Sequence, residues 1–164
     1  MPTFQELYEA HAASVYRFAF SLTRNRQQAE DIVSETFVRA WSRRERIHTE
    51  TLRGYLFAIA RNLFLDGRRD ERRRAELDET LVDPAPDPIR RAEAGMALQR
   101  VDRVLGRLPE ADRSAFLLRV QQDLPYAEVA RILGISIVAA RVKVSRVRAR
   151  VAAVCLREEP SLWK

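Results

Sequence analysis

Apolar residues recur along most of this chain at three- and four-residue spacings, with no strand-like alternation. The first run, Phe4, Leu7, Tyr8, Val15, Phe18, Ala19 and Leu22, falls on one helical face. Thr3 with Glu6 reads as a capping box that opens it. Asn25 with Gln28 offers a cap for a second helix reaching about Trp41, with Ile32, Val33, Phe37, Ala40 and Trp41 as its apolar positions. A third, long helix begins at Thr49 or Thr51. Its expected inner stripe is Leu52, Tyr55, Leu56, Ile59 and Leu63, and it ends in the run Arg68-Arg69-Asp70-Glu71-Arg72-Arg73-Arg74. Gly67 sits inside this helix and weakens it by about 1 kcal/mol relative to alanine.

The pattern stops between Glu76 and Pro88. That stretch holds three prolines and five acids with no base, so it reads as a linker. Asp87-Pro88 can start the next helix, with proline at its first position. Val101, Val104, Leu105 and Leu108 mark an inner face. Pro109 and Pro125 open two further helices, the second a short one from Tyr126 to Leu133. Gly134-Ile135-Ser136 breaks the chain, and Ile137 to about Val154 forms the last helix. The predicted fold is all-α, with two small helical domains joined by a flexible, acidic, proline-rich linker. The expected boundaries are a first domain 1–75, a linker 76–95, a second domain 96–155 and a tail 156–164.

Composition narrows the function. The chain has 164 residues, 46% hydrophobic and 32% charged, as soluble globular proteins do. No stretch approaches the ~20 apolar residues of a membrane span, which argues against membrane insertion. The start, Met1-Pro2-Thr3-Phe4-Gln5-Glu6, lacks the basic-then-apolar pattern of a secretory leader, so a cytoplasmic location is expected. One cysteine, Cys155, and two histidines leave little for a metal site, and the five glycines form no phosphate loop. No cofactor or small-molecule substrate is expected. No nucleophile–base set supports a small helical enzyme. Cys155 reads as a packed thiol, with redox sensing as the other reading.

The net charge is +6, and of the 29 basic residues only Lys143 and Lys164 are lysine. Arginine richness can follow from a GC-rich genome. It also suits phosphate, because the guanidinium fork donates two hydrogen bonds at once. Residues 1–75 carry 14 basic and 10 acidic side chains, residues 76–95 carry 2 and 6, and residues 96–164 carry 13 and 7. Two basic blocks therefore flank an acidic spacer.

Two places carry the functional signal. Ala130 followed by Gly134 suits a tight helix-turn-helix, where a small residue permits close crossing and glycine accepts a left-handed turn. Ser136 can cap the second helix. Ile137, Ala140, Val144, Val147, Val151 and Val154 form its expected buried seam. Arg141, Lys143, Arg146, Arg148 and Arg150 lie off it, and no acid occurs from Ile137 to Val154. A helix with a greasy seam and a basic exterior suits a DNA major groove. The other place is Ala29–Trp41, which presents acids, then aromatics, on one helix. Asp31 and Glu35 repel at i,i+4 spacing, a cost more easily understood if a basic partner meets them.

Ala29–Trp41, the segment Leu52–Arg69 and the stretch from Leu108 to Arg150 together resemble bacterial sigma-70 factors. The most similar group is the extracytoplasmic-function (ECF) type. The resemblance covers nearly the whole chain in the right order. It implies a transcription initiation factor that binds core RNA polymerase. The Ala29–Trp41 helix would meet the clamp helices of the largest subunit through Asp31, Glu35, Phe37, Arg39 and Trp41, and the β subunit would also be a partner. The loop 46–51 and helix Leu52–Arg69 would capture the −10 element of promoter DNA through Asn62, Asp66, Arg68 and Arg69. The last helix would read the −35 element through Arg141, Lys143, Ser145, Arg146 and Arg148, with Arg119 on a phosphate. The linker would thread the polymerase cleft, and an anti-sigma factor would hold the protein inactive. One departure stands out. Val138, Ala139 and Val142 replace the small or polar residues usual in that helix, and apolar side chains read only thymine methyl groups well. Shape readout and phosphate contacts are then the expected −35 mode, with a regulatory partner as another reading of the valine face. The alternative for the whole chain is a stand-alone helix-turn-helix regulator that needs no polymerase.

Overall fold

The computed structural model describes residues 2–48, 51–77 and 96–158, with only the backbone for residues 96–98 and 156–158. Thr49, the body of the expected linker and the helix start at Asp87-Pro88 lie outside the described residues, as do residues 159–164 of the tail. All regular structure among the described residues is helical. The chain divides into two compact units, residues 1–87 and 88–164.

The first unit is a three-helix assembly. α1 spans Phe4–Thr23, and its capping box is complete: Glu6 N–H donates to Thr3 Oγ1, and Thr3 N–H donates to Glu6 Oε2. It closes on Arg24, which is left-handed at φ 53° and donates its backbone N–H to the Phe20 carbonyl. α2 spans Arg26–Ser42, capped where Gln28 N–H donates to Asn25 Oδ1 at 2.9 Å. A 3₁₀ turn at Arg44–Arg46 leads towards α3, Leu52–Leu77. Phe18, Phe37 and Phe57 are fully buried, and the rings of Phe18 and Phe57 meet edge to face at 5.4 Å. Burying such a ring contributes about 1.5–3 kcal/mol each.

Two expected faces turn out differently. α3 buries Gly54, Leu56, Phe57, Ile59, Ala60 and Phe64, whereas Leu52, Tyr55 and Leu63 are half-buried. α3 packs on both α1 and α2, so its inner face is wider than one stripe and centres on the two phenylalanines. Phe4 and Tyr8 leave the core as well. They are exposed and join a chain of rings, Phe4 on Trp41 at 5.6 Å and Tyr8 on Phe37 at 5.0 Å.

Gly67 lies in the exposed part of α3, and a methyl group added there would meet nothing within 4 Å. Gly67→Ala is expected to stabilise the first unit by about 0.5–1 kcal/mol, read as a shift in its urea midpoint. His11 is half-buried on α1, and burial, then the Arg53 charge, hold its pKa below the ordinary 6.5. The unfolded chain therefore takes up this proton first. Stability from this group is full above pH 6.5 and is lost as pH falls below it. Urea titrations at successive pH values are expected to show that loss in the parent and a flatter profile in His11→Gln.

The second unit contains α4 (Met96–Gly106), α5 (Glu110–Phe116), α6 (Tyr126–Leu133) and α7 (Ile137–Glu158). Pro109 and Pro125 stand just before α5 and α6, each with extended ψ, as the prolines predict. α5 runs on into a π-helical turn at Leu117–Gln121, which the sequence pattern did not announce. Its wider turn is closed by Gln122 N–H donating to the Leu117 carbonyl at 3.0 Å. Leu117, Leu118, Gln122 and Leu124 are all buried there, and Asp123 takes a left-handed φ of 55° to turn towards α6. In α7, Ala140, Val144 and Val147 are buried while Val151 and Val154 are half-buried. Ile137, expected in the seam, is 45% exposed. A 3-4-3-4 stripe repeats every 3.5 residues and drifts on a 3.6-residue helix, so its ends swing off centre. No helix among the described residues is long and apolar enough to cross a membrane.

Candidate nucleic-acid interface and acidic docking face

In the first unit α2 buries Ala29, Ile32, Val33, Thr36, Phe37 and Ala40, which leaves Glu30, Asp31, Glu35, Val38 and Arg39 exposed. The repulsion between Asp31 and Glu35 is softened within the helix. Gln27 Nε2 donates to Asp31 Oδ1 at 2.9 Å, and Arg39 Nε pairs with Glu35 Oε1 at 2.9 Å. Both sites are exposed, so these contacts are weak. Trp41 is half-buried with the Arg44 guanidinium 4.3 Å above its ring, and Arg44 also donates to the Trp41 carbonyl. Phe37 requires a correction. It has no exposed surface, so it lies beneath the exposed acidic face of α2 and has no surface to offer a partner. The sequence pattern missed the exposed apolar surface that Phe4 and Tyr8 add on α1 and Val38 adds on α2. The clue was available for Val38, which falls opposite the seam of α2.

Asn62, Asp66 and Arg69 follow one another at four- and three-residue steps on α3, and all three are exposed. Arg69 Nη1 lies 3.8 Å from Asp66 Oδ1, a loose pair. Arg73 continues the row one turn on. Arg68 is half-buried, with its guanidinium 5.5 Å from the Phe64 ring centre, so it flanks the row. Residues 49 and 50 of the expected −10 loop lie outside the described residues; Arg46 ends a 3₁₀ turn, and Thr51 Oγ1 donates to the His48 carbonyl.

In the second unit Gly134 is left-handed at φ 67°, and Ile135 N–H donates to the Ala130 carbonyl at 3.0 Å. These bonds close α6 and send the chain into a sharp turn. Ser136 Oγ accepts from Ala139 N–H at 3.1 Å and caps α7. Ala130 and Ala140 are both buried, small enough to let α6 and α7 pack closely. The result is a helix-turn-helix with Arg141, Ser145, Arg146, Arg148 and Arg150 exposed on its second helix.

Lys143 does not join them. Its Nζ lies 2.9 Å from Asp112 Oδ1, and both side chains are mostly buried, so it ties α7 to α5. Arg119 is half-buried and donates from Nη1 to the Leu124 carbonyl at 3.1 Å. Its guanidinium sits 4.4 Å from the Tyr126 ring centre, and that of Arg141 sits 5.4 Å from the same ring. Two cations singled out from distant segments thus meet at one aromatic side chain, which spacing alone could not reveal.

The family description "Sigma-70 region 2" matches residues 7–74, and "Sigma-70, region 4" matches residues 98–151. The ECF RNA polymerase sigma factor SigL of Mycobacterium tuberculosis is 34% identical over 79% of this chain and 76% of its own length. This chain belongs to the ECF sigma factors. The ECF sigma factor SigE of Mycolicibacterium smegmatis is 35% identical over 90% of this chain, which spans only 60% of that relative's length. Among solved structures, the sigma factor RpoE in complex with the anti-sigma factor NepR from Bartonella quintana is similar at a TM-score of 0.78 and 25% identity, covering 93% of this chain and 96% of that one. CnrH in complex with the cytosolic domain of CnrY is similar at 0.70 and 25% identity, covering 93% and 86%. In this ECF sigma factor the three-helix unit corresponds to region 2 and the helix-turn-helix unit to region 4.

Proposed function

We propose that this protein binds core RNA polymerase in the cytoplasm and directs it to promoters through separate −10 and −35 contacts. The observation that carries the reading is the pairing, in one chain, of an exposed acidic helix face with a helix-turn-helix whose outer surface is cationic. The α2 face with Asp31, Glu35, Arg39 and Trp41 docks on the polymerase clamp helices, and the β subunit takes the second unit. The row Asn62, Asp66 and Arg69, with Arg68 beside it, receives an unpaired base of the −10 element. Extracting a base costs a few kcal/mol, which phosphate contacts and the base pocket offset. Arg119, Arg141, Ser145, Arg146 and Arg148 serve the −35 element. Residues 1–75 and 96–155 act as the two binding domains, with 76–95 as the strap between them. Bond-forming chemistry stays with the polymerase. The RpoE structure is a complex with the anti-sigma factor NepR, which supports a protein inhibitor for this chain too, and CnrH is likewise held in a complex, with the cytosolic domain of CnrY.

The test is co-elution with purified core enzyme in gel filtration, followed by promoter-specific run-off transcription. Both are expected. Failure to co-elute, or tight binding of duplex operators by the free protein, would instead favour a stand-alone regulator.

Salt dependence separates the cations. Arg141→Ala and Arg146→Ala are each expected to lower the slope of log affinity against log salt by about 0.9. Lys143→Ala is expected to leave that slope unchanged and cost about 1 kcal/mol of folding stability, because Asp112 loses its partner. Filter binding at several salt concentrations and denaturant titration measure the two effects.

A further inference from the structure

We infer that Val138 and Val142 read thymine methyl groups in the upstream promoter element, which makes an A·T pair there a determinant of specificity. This rests on the reading of α7 as the −35 helix. Val138 is 70% exposed and Val142 41% exposed, whereas Ala140, Val144 and Val147 of the same helix are buried. They stand at i and i+4 in the first two turns of α7, the part of such a helix that reaches base edges. Ser145 extends the same row by one further turn, and Arg141 flanks it.

The surroundings select DNA over a protein as the occupant. No acid occurs from Ile137 to Val154, and exposed Arg141 (i+3 from Val138) and Arg146 (i+4 from Val142) lie beside the valines. An apolar strip framed by cations matches a groove floor framed by phosphates. Val138, Val142 and the neighbouring, partly exposed Ile137 together still fall well short of a stable protein interface, which takes about 800 Å² from each partner. In the major groove the C5 methyl of thymine is the one apolar group that projects well beyond a base edge. Valine is stiff at χ1 in a helix, so its methyl groups arrive already oriented. Phosphate contacts fix the register of the helix, and the valines then score each base pair for a methyl group.

The test uses full-length protein in holoenzyme and a duplex promoter fragment found by start-site mapping. Each upstream thymine is replaced in turn by deoxyuridine, which deletes the methyl group and preserves every hydrogen-bonding atom. Affinity is expected to fall about three- to fivefold at one or two positions, the effect of losing one buried methyl contact. In Val138→Ala or Val142→Ala the matching penalty is expected to vanish, with melting temperature and core-polymerase binding unchanged. Unchanged affinity at every deoxyuridine, a penalty that survives in the double variant, or an upstream element without any A·T pair would overturn the inference. So would valine variants that lose grip only on a protein inhibitor. Absence of any promoter-specific binding would instead bring down the functional reading, and this inference with it.

Discussion

Charge reversal of Asp31 and Glu35 to arginine is expected to weaken association with core RNA polymerase by at least about 100-fold, since two opposed interface charges become repulsive. Both carboxylates are exposed, so the loss falls on binding and not on folding. Within the helix the change is small. Asp31 gives up an amide contact from Gln27, and Glu35 gives up its pair with Arg39. An i,i+4 pair of this kind is worth about 0.2–0.5 kcal/mol, so the melting temperature is expected to move little. Fluorescence anisotropy with labelled core enzyme reads the affinity, and circular dichroism checks the fold. A folded double variant that still binds core enzyme at parental strength would sink the assignment of α2 as the docking face.

Phe37→Ala is expected to have the opposite signature. The ring has no exposed surface and packs against Tyr8, so truncation leaves a cavity at the junction of α1 and α2. The cost is about 3–5 kcal/mol, which is most of the stability available to a helical unit of this size. The first unit is expected to melt well below the parent and to lose polymerase binding only as it unfolds. Phe37→Leu fills most of the space and is expected to retain binding with about 1 kcal/mol of destabilisation. Thermal melts paired with binding assays at low and moderate temperature distinguish the cases. A Phe37→Ala protein that melts like the parent yet fails to bind would mean that the ring is a contact residue after all.

What could be read from the chain alone was whatever is decided locally. Thr3 with Glu6, Asn25, Ser136, Gly134 and the prolines before α5 and α6 act within a few residues of themselves, and each sits where its chemistry directs. The ECF family resemblance was legible for a related reason, since its motifs are contiguous. What escaped depends on partners distant in sequence. Lys143 looked like a free cation until Asp112, 31 residues away, came within 2.9 Å of it. Phe37 looked like a docking aromatic, but α1 covers it. The inner face of α3 is wider than its periodicity suggested because two helices pack on it. The π turn after Phe116 has no compositional mark of its own.

The Tyr126 ring, flanked by Arg119 and Arg141, has one more consequence. A shared support makes its two dependants a single thermodynamic unit. If both serve the −35 contact as proposed, their contributions to affinity are expected not to sum, since removing either one changes the surface on which the other rests.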